Sequence, residues 1–328
     1  MTGGRLDEFA LIAELFAPLS AGFPGALGLT DDAAFIPPVD GAETVVTVDA
    51  MVAGVHFLPD DPPALVARKL VRVNLSDLAA KGATPFAVLL AAAFPAGTDA
   101  AWLRAFAAGL AEDVNGFGVA LIGGDTVATP GPLTLSLTAM GRVAQGRGLL
   151  RSGARQGDHI WVSGTVGDAA LGLKVLQGHL PASDHLAGRY RLPQPRVGLG
   201  PRLVGLASAA MDVSDGLVQD LGHLCRASGL GAEVDATLVP LSDAAAAALA
   251  ADQTLLASIL AGGDDYELLF TAPAEATAAI QAAAAQAGVA VTAIGRMVAG
   301  QEVDVRGPDG KPLTLAHGGW RHFTGEGG

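Results

Sequence analysis

Six times along the chain an aliphatic segment ends at, or is closely followed by, one or two aspartates. They are Asp31-Asp32, Asp49, Asp77, Asp125, Asp212 with Asp215, and Asp264-Asp265. A single carboxylate usually faces water. Several at the ends of apolar segments, beside glycines, are a stronger constraint. Converging carboxylates repel one another unless a cation neutralises them. A fold that gathers them is therefore expected to bind cations, whereas one that splays them uses them as loop decoration and helix caps.

The intervening segments read as alternating strands and helices, an α/β class. Phe9, Ile12, Leu15 and Phe16 have helical spacing. The β-branched run 44–49, TVVTVD, predicts a strand. Residues 62–80 predict a helix stopped by Lys81-Gly82, 86–94 a strand, and 99–115 a helix. A strand at 119–122 then leads into a predicted turn, Gly123-Gly124-Asp125-Thr126, followed by a strand at 133–143. The Gly- and Arg-rich stretch 145–157 predicts a domain junction. Beyond it come a strand at 159–163, a helix over 168–176, an irregular connection at 181–201 and an Ala-rich helix over 243–261. Late strands are expected at 268–271, 289–294 and 303–305. Asn74-Leu75-Ser76-Asp77-Leu78 and Asp212-Val213-Ser214-Asp215-Gly216-Leu217 echo one another across the two halves.

Composition narrows the function. The 328 residues are 50% hydrophobic, enough for a large core, with a net charge of −13. That charge argues against a broad nucleic-acid footprint. The acids are 24 Asp against 9 Glu, a bias suited to turns, caps and hard-metal sites. One cysteine, Cys225, rules out a disulfide framework or a cysteine zinc site within one chain, and reads as a packed thiol. Asp7 and Glu8 stand where a signal peptide would be basic or apolar, and no run approaches a membrane span of about 18 apolar residues. A cytoplasmic protein is expected.

Oxygen-only ligands suit Mg²⁺, which commonly takes a few carboxylates together with water and phosphate oxygens. The Gly-Gly pairs at 123–124 and 262–263 permit close backbone approach to a ligand. A P-loop and the protein-kinase motif set are absent. Taken alone, Ser214 or Asp212 reads as an N-cap, His56 as a packed side chain, Arg151 as a solvated charge and Trp320 as a core anchor.

The order of motifs is more specific. TDDAAF at 30–35, VTVDAMVAGVHF at 46–57, VNLSDLAAKGATP at 73–85, IGGDT at 122–126, RSGARQGD at 151–158, MDVSDGL at 211–217 and GGDDYELLF at 262–270 run nearly end to end. In that order they resemble the thiamine-monophosphate kinase family, of the superfamily that includes aminoimidazole ribonucleotide synthetase. The resemblance implies a two-domain PurM-like fold. Its N-terminal domain would span 1–147, with a sheet that pairs with its copy in a homodimer, and its C-terminal α/β domain would span 148–328. It also implies transfer of the ATP γ-phosphoryl group to thiamine monophosphate. By position, Asp32, Asp49, Asp77, Asp125 and Asp212 would bind several Mg²⁺ ions, helped by Thr47 and the Val48 backbone, with Asp215 on a further cation. Gly124, Asp125, Arg151 and Ser214 would contact ATP, and His56, Asp264 and Trp320 the substrate.

Three positions depart from the family pattern. Thr30 stands for Gly, Lys81 for Met, and Asp264 for Glu. The alternatives left open are another ATP-using enzyme of the superfamily, a non-catalytic Mg²⁺–nucleotide-binding regulator, and a metal-dependent phosphatase. The first would call for other signatures, such as a reactive N-terminal or terminal cysteine, which this chain lacks.

Overall fold

The structure, a computed structural model, describes residues 8–313 and 319. The chain divides into two compact units. One comprises the described residues up to Leu78 with Ala83–Gly146, and the other Ala79–Gly82 with the residues from Arg147 onward.

The first unit is built on four strands in the order β1-β4-β2-β3: β1 Ala42–Val52, β2 Thr84–Pro95, β3 Ala120–Thr129 and β4 Thr134–Ala144. β4 runs antiparallel to β1 and β2, while β2 and β3 are parallel. A parallel pair needs a crossover, here helix α3 (Ala100–Gly116), capped by Asp99, whose side chain accepts the Trp102 N–H at 2.7 Å. Before the sheet, α1 (Glu8–Leu11) gives way to a π-turn at Ile12–Phe16 and 3₁₀ turns at Ala17–Ser20 and Pro24–Leu29. The helix expected over 9–16 is thus helical throughout but changes from α to π type after Leu11. Pro18 has no N–H with which to continue the ladder.

Helix α2 (Pro63–Ala80) buries Val66, Leu70, Val71, Leu75 and Leu78. It stops as its sequence implies. Gly82 takes φ +70°, its N–H donates to Ala79 O at 2.9 Å, and Ala83 N–H donates to Leu78 O at 2.9 Å, a Schellman motif. Asp113 of α3, 3% exposed, accepts from Arg68 at 3.0 Å and from Arg72 at 2.5 and 3.0 Å, tying α3 to α2.

The Gly-Gly-Asp-Thr segment corrects the sequence reading. It is no turn: Gly123, Gly124 and Asp125 continue β3, opposite Leu89, Leu90 and Ala91 of β2, after a register shift at Val88/Leu89. The glycines serve this close pairing, since a Cβ on Gly124 would lie 1.9 Å from Leu90 O.

The second unit carries a six-stranded sheet in the order β10-β7-β9-β5-β8-β6. Its strands are β5 His159–Ser163, β6 Ala209–Asp212, β7 Gly231–Asp235, β8 Leu268–Ala272, β9 Val291–Val298 and β10 Val303–Arg306. Alternation on β5 supplies two cores. Ile160 and Val162 pack with Met211, Leu221, Leu224 and Ile294, while Trp161 packs with Phe270, Leu199, Leu203 and Ile280. Around the sheet lie α4 (Asp168–Leu176), α5 (Asp184–Arg191), α6 (Gly200–Leu203), α7 (Leu217–Ser228), α8 (Asp243–Ala251), α9 (Leu255–Ala261) and α10 (Thr277–Ala287).

Two expectations fail here. The connection at 181–201 holds α5 and runs into the start of α6, and the helix expected over 243–261 is two helices, α8 and α9. The break falls at Asp252, whose side chain accepts the Thr254 N–H at 2.9 Å and so competes with the helix. β7 occupies a segment for which the sequence pattern predicts no strand. Cys225 is buried as expected, and burial pushes its thiol up to about 11.

Removing the Asp113 carboxylate would take away the buried acceptor shared by Arg68 and Arg72, although Arg68 keeps Glu112 at 2.7 Å. Asp113→Ala is expected to cost roughly 3 kcal/mol in chemical denaturation, and Asp113→Asn less.

Candidate active site

In the first unit three of the sequence-predicted groups meet. Thr47 and Asp49 of β1 share a row parity with Leu137 and Leu90, both buried. Alternate strand residues share a face, so Thr47 and Asp49 face the buried side. There Asp77 projects from α2, and the Thr47 hydroxyl donates to Asp77 Oδ2 at 2.5 Å. The backbone N–H of Asp49, on the edge of the sheet, donates to the Asn74 side chain at 3.0 Å. Asn74 is itself fully buried and donates to Leu70 O. It stands in for a neighbouring strand. Val48 lies between Thr47 and Asp49 with its side chain 60% exposed.

Asp49 pays an electrostatic penalty for this place. Burial, and then the charge of Asp77, raise its pKa from 3.8 to about 6. A hydroxyl and two carboxylates form an all-oxygen donor set with surplus negative charge. This is the chemistry a hard divalent cation satisfies, so the residues fit Mg²⁺.

Asp125 is not part of this group. It stands opposite Ala91, one row beyond the Leu90–Gly124 pair, so alternation turns it to the other face of the sheet. β3 and β1 are also opposite edges. Three inter-strand spacings separate them, about 14 Å. On Asp125's side the 3₁₀ segment Pro24–Leu29 packs through Ala26 over Ala87, Ala120, Ile122 and Met140, and the exposed Asp31-Asp32 pair follows it. Within the first unit, Asp125 therefore stands apart from the Thr47, Asp49 and Asp77 group.

His56 lies in the turn after β1. Its Nδ1 accepts the Val52 N–H at 3.0 Å, which leaves the ring proton of the neutral form on Nε2. Its carbonyl accepts from the buried Lys69 at 2.9 Å.

In the second unit, β6 ends on the buried Asp212, and residues 213–216 turn into α7. Neither Asp212 nor Ser214 caps that helix. The N-cap is Gly216, φ +126° and without a side chain, so Asp220 supplies the acceptor from within α7. One oxygen of Asp220, Oδ2, takes the N–H groups of Ser214, Asp215 and Gly216 at 3.0, 3.0 and 3.1 Å. Burial and the nearby Asp215 nonetheless push the Asp220 carboxyl up to about 7. Ligand atoms of Asp215, Asp220 and His223 lie within 4.8 Å of one another.

The Ser214 carbonyl accepts the Asp264 N–H at 2.8 Å, so the predicted nucleotide and substrate contacts are neighbours. Asp264 and Tyr266 both hold positive φ, +73° and +50°. Such conformations cost non-glycine residues about 1–3 kcal/mol each. Arg151 is exposed, its carbonyl 3.3 Å from the Ser228 hydroxyl. Lys81 Nζ lies 3.5 Å from Ala210 O, next to β6 rather than in open solvent. Trp320 lies outside the described residues.

Sequence reasoning assigned no role to Asn74 or Asp220, and it counted Asp265 among the acids expected to gather on a cation, whereas Asp265 is buried and accepts the Gly167 and Ala169 N–H groups. Asn74 and Asp265 sit inside quoted motifs, but their roles are backbone bonds that only the fold reveals. Asp220 carried a usable signal, an acid in the first turn of a helix.

Residues 30–143 match the family model described as AIR synthase related protein, N-terminal domain, and 155–307 match the C-terminal domain. A thiamine-monophosphate kinase of Caulobacter vibrioides is 46% identical over 321 residues, covering 96% of this chain and 90% of its own. The crystal structure of thiamine-monophosphate kinase from Stenotrophomonas maltophilia is 42% identical with TM-score 0.83, covering 94% of this chain and 98% of that one. A structure described as AaThiL complexed with AMPPCP and TMP is 29% identical with TM-score 0.76, covering 98% and 100%.

The Asp49–Asp77 pair makes a pH prediction. An acid with its pKa raised in the folded state binds the extra proton there, so its contribution to stability is lost as pH rises from near 4 to about 6. Asp49→Asn is expected to raise the melting temperature of the metal-free protein at pH 8 and to weaken its stabilisation by millimolar Mg²⁺. Thermal melts across pH, with and without Mg²⁺, check both.

Proposed function

The chain belongs to the thiamine-monophosphate kinase family, within the AIR synthase related proteins, and from that membership we infer that it transfers the γ-phosphoryl group of ATP to thiamine monophosphate, giving thiamine diphosphate and ADP. The observation that carries the reading is end-to-end likeness to proteins of that activity, one of them complexed with AMPPCP and TMP. AMPPCP is an ATP analogue whose β–γ bridge resists transfer, so that pair stands for both substrates.

The chemistry suits the donor set. The acceptor is a phosphate oxygen already largely ionised near pH 7, and its attack needs no strong general base. The obstacle is repulsion among the three phosphates of ATP and the one on the acceptor. Mg²⁺, when bound, neutralises phosphate charge and holds the groups in line. We assign its binding to Asp32, Asp49, Asp77, Asp125, Asp212 and Asp215, with Thr47 and the Val48 backbone assisting. Thr47 orients Asp77 through its hydroxyl, and Asn74 fixes the Asp49 backbone. Gly124 and Asp125, Arg151 and Ser214 are assigned to ATP. His56, presenting Nε2–H, together with Asp264 and Trp320, is assigned to thiamine monophosphate. The side chains contribute positioning and electrostatics rather than a covalent step.

A homodimer is part of the proposal. Val46 and Val48 on β1 and Val127 on β3 are 58%, 60% and 50% exposed, an apolar surface on the sheet that a second copy would cover. The edge strands β1 and β3, which carry Asp49 and Asp125, are about 14 Å apart across the sheet. The cytoplasm is the proposed compartment. Among the described residues no helix is long and apolar enough to cross a membrane.

Purified protein given Mg-ATP and thiamine monophosphate is expected to release thiamine diphosphate and ADP, resolved by chromatography. Folded protein that makes no diphosphate would refute the reading, and phosphate release without diphosphate would favour a phosphatase. Asp77→Asn is expected to lower turnover at least 100-fold with the melting profile retained. A near-normal rate would remove Asp77 from the site.

A further inference from the structure

Asp265 has no part in the contacts assigned above, yet it is only 1% exposed and lies beside Asp264. Its Oδ2 accepts the Gly167 N–H at 2.6 Å and its Oδ1 the Ala169 N–H at 3.2 Å. These are the N-cap and second residues of α4. Gly167, with φ +87°, offers no capping side chain of its own. The cap of α4 therefore comes from a residue 98 positions away.

The loop that carries Asp265 is wound against the turn after β6. Asp264 N–H donates to Ser214 O, Tyr266 N–H to Val213 O, and Val213 N–H to Glu267 O, each at 2.8 Å. The contact leaves no room for side chains at the glycines. A Cβ on Gly263 would lie 2.4 Å from Ser214 O, and one on Gly216 would lie 2.7 Å from Ala261 O. Behind the loop Glu267, fully buried, accepts from Arg189 at 2.9 Å, from Arg196, and from Ser163 at 2.6 Å. The two residues flanking Asp265 are the left-handed Asp264 and Tyr266. Backbone in that region persists only where its surroundings impose it.

We propose that Asp265 is a positioning residue for the transfer reaction. By joining the start of α4 to the 262–267 loop, it sets where Asp264 meets the substrate and where Ser214 meets the nucleotide. Both its oxygens are engaged by backbone N–H groups, so it acts through the loop rather than on a reacting atom. The proposal rests on the kinase reading.

The test compares the full-length wild type with Asp265→Asn. The amide fills the same space, but one of its two ends is a donor facing a donor, so one of the two backbone bonds is lost. Melting temperature, KM for each substrate and kcat are measured for both. The expected result is a folded variant whose KM for thiamine monophosphate rises about tenfold or more, with a smaller change in kcat. Unchanged constants in a folded variant would overturn the proposal, as would a loss of rate that merely tracks the unfolded fraction. Hydrogen exchange on the wild type covers a variant that does not fold. Thiamine monophosphate with a non-transferable ATP analogue should slow exchange in 262–267 and in the first turn of α4 together. Slowing in the loop alone would overturn the coupling. A wild type that forms no thiamine diphosphate refutes the kinase reading separately. Whether Asp265 fixes the loop is then decided without substrates: faster exchange at 213–216 and 264–266 in Asp265→Asn supports that hold alone, and equal exchange overturns it.

Discussion

Carboxylates held close together out of bulk water repel one another, and much of this structure can be understood as the means of keeping them there. Asp49 and Asp77 approach across the interface of β1 and α2, where Thr47 and Asn74 hold them in place. The raised pKa of Asp49 records what is left uncompensated. In the second unit the same difficulty is met differently. Asp220 and Asp265 turn inward and take backbone N–H groups, three and two respectively. The chain thus uses aspartate in two ways. Some acids stand at strand ends or in loops, partly open to a ligand, and others are buried to fix the loops that bear them.

This division explains why the loops can be both strained and defined. Residues 262–267 carry two non-glycine left-handed residues and close glycine contacts, a conformation no local sequence preference would choose. Backbone bonds to 213–214, the cap on α4 and the buried Glu267–Arg189–Arg196 group enforce it. Sites for phosphoryl transfer gain from such rigidity, because positioning and electrostatic stabilisation supply most of the rate.

The order of seven short motifs was sufficient to recognise the family and its reaction, and the strongest local signals marked real elements. TVVTVD lies in β1, and the Lys81-Gly82 stop closes α2 with a Schellman motif. The failures share a physical cause. Gly123-Gly124 has turn composition, yet it lies in β3 because only glycine permits that approach to β2. Prolines around 181–201 hid α5, whose Leu186 and Tyr190 are buried by contacts distant in sequence. Asp252, unremarkable in an Ala-rich run, breaks that run by accepting the Thr254 N–H.

The sequence by itself determined the family, the oxygen-rich donor set and the alternation of strands and helices, because residue type and short-range spacing carry that information. Tertiary structure alone decided which acids meet. Thr47, Asp49 and Asp77 converge because β1 packs under α2. Asp125 faces away from them because the register shift between β2 and β3 fixes its parity and the sheet order puts it on the far edge. A one-residue change of register reverses the face of every side chain that follows. That choice is made by the pairing of strands, and no local pattern in the chain encodes it.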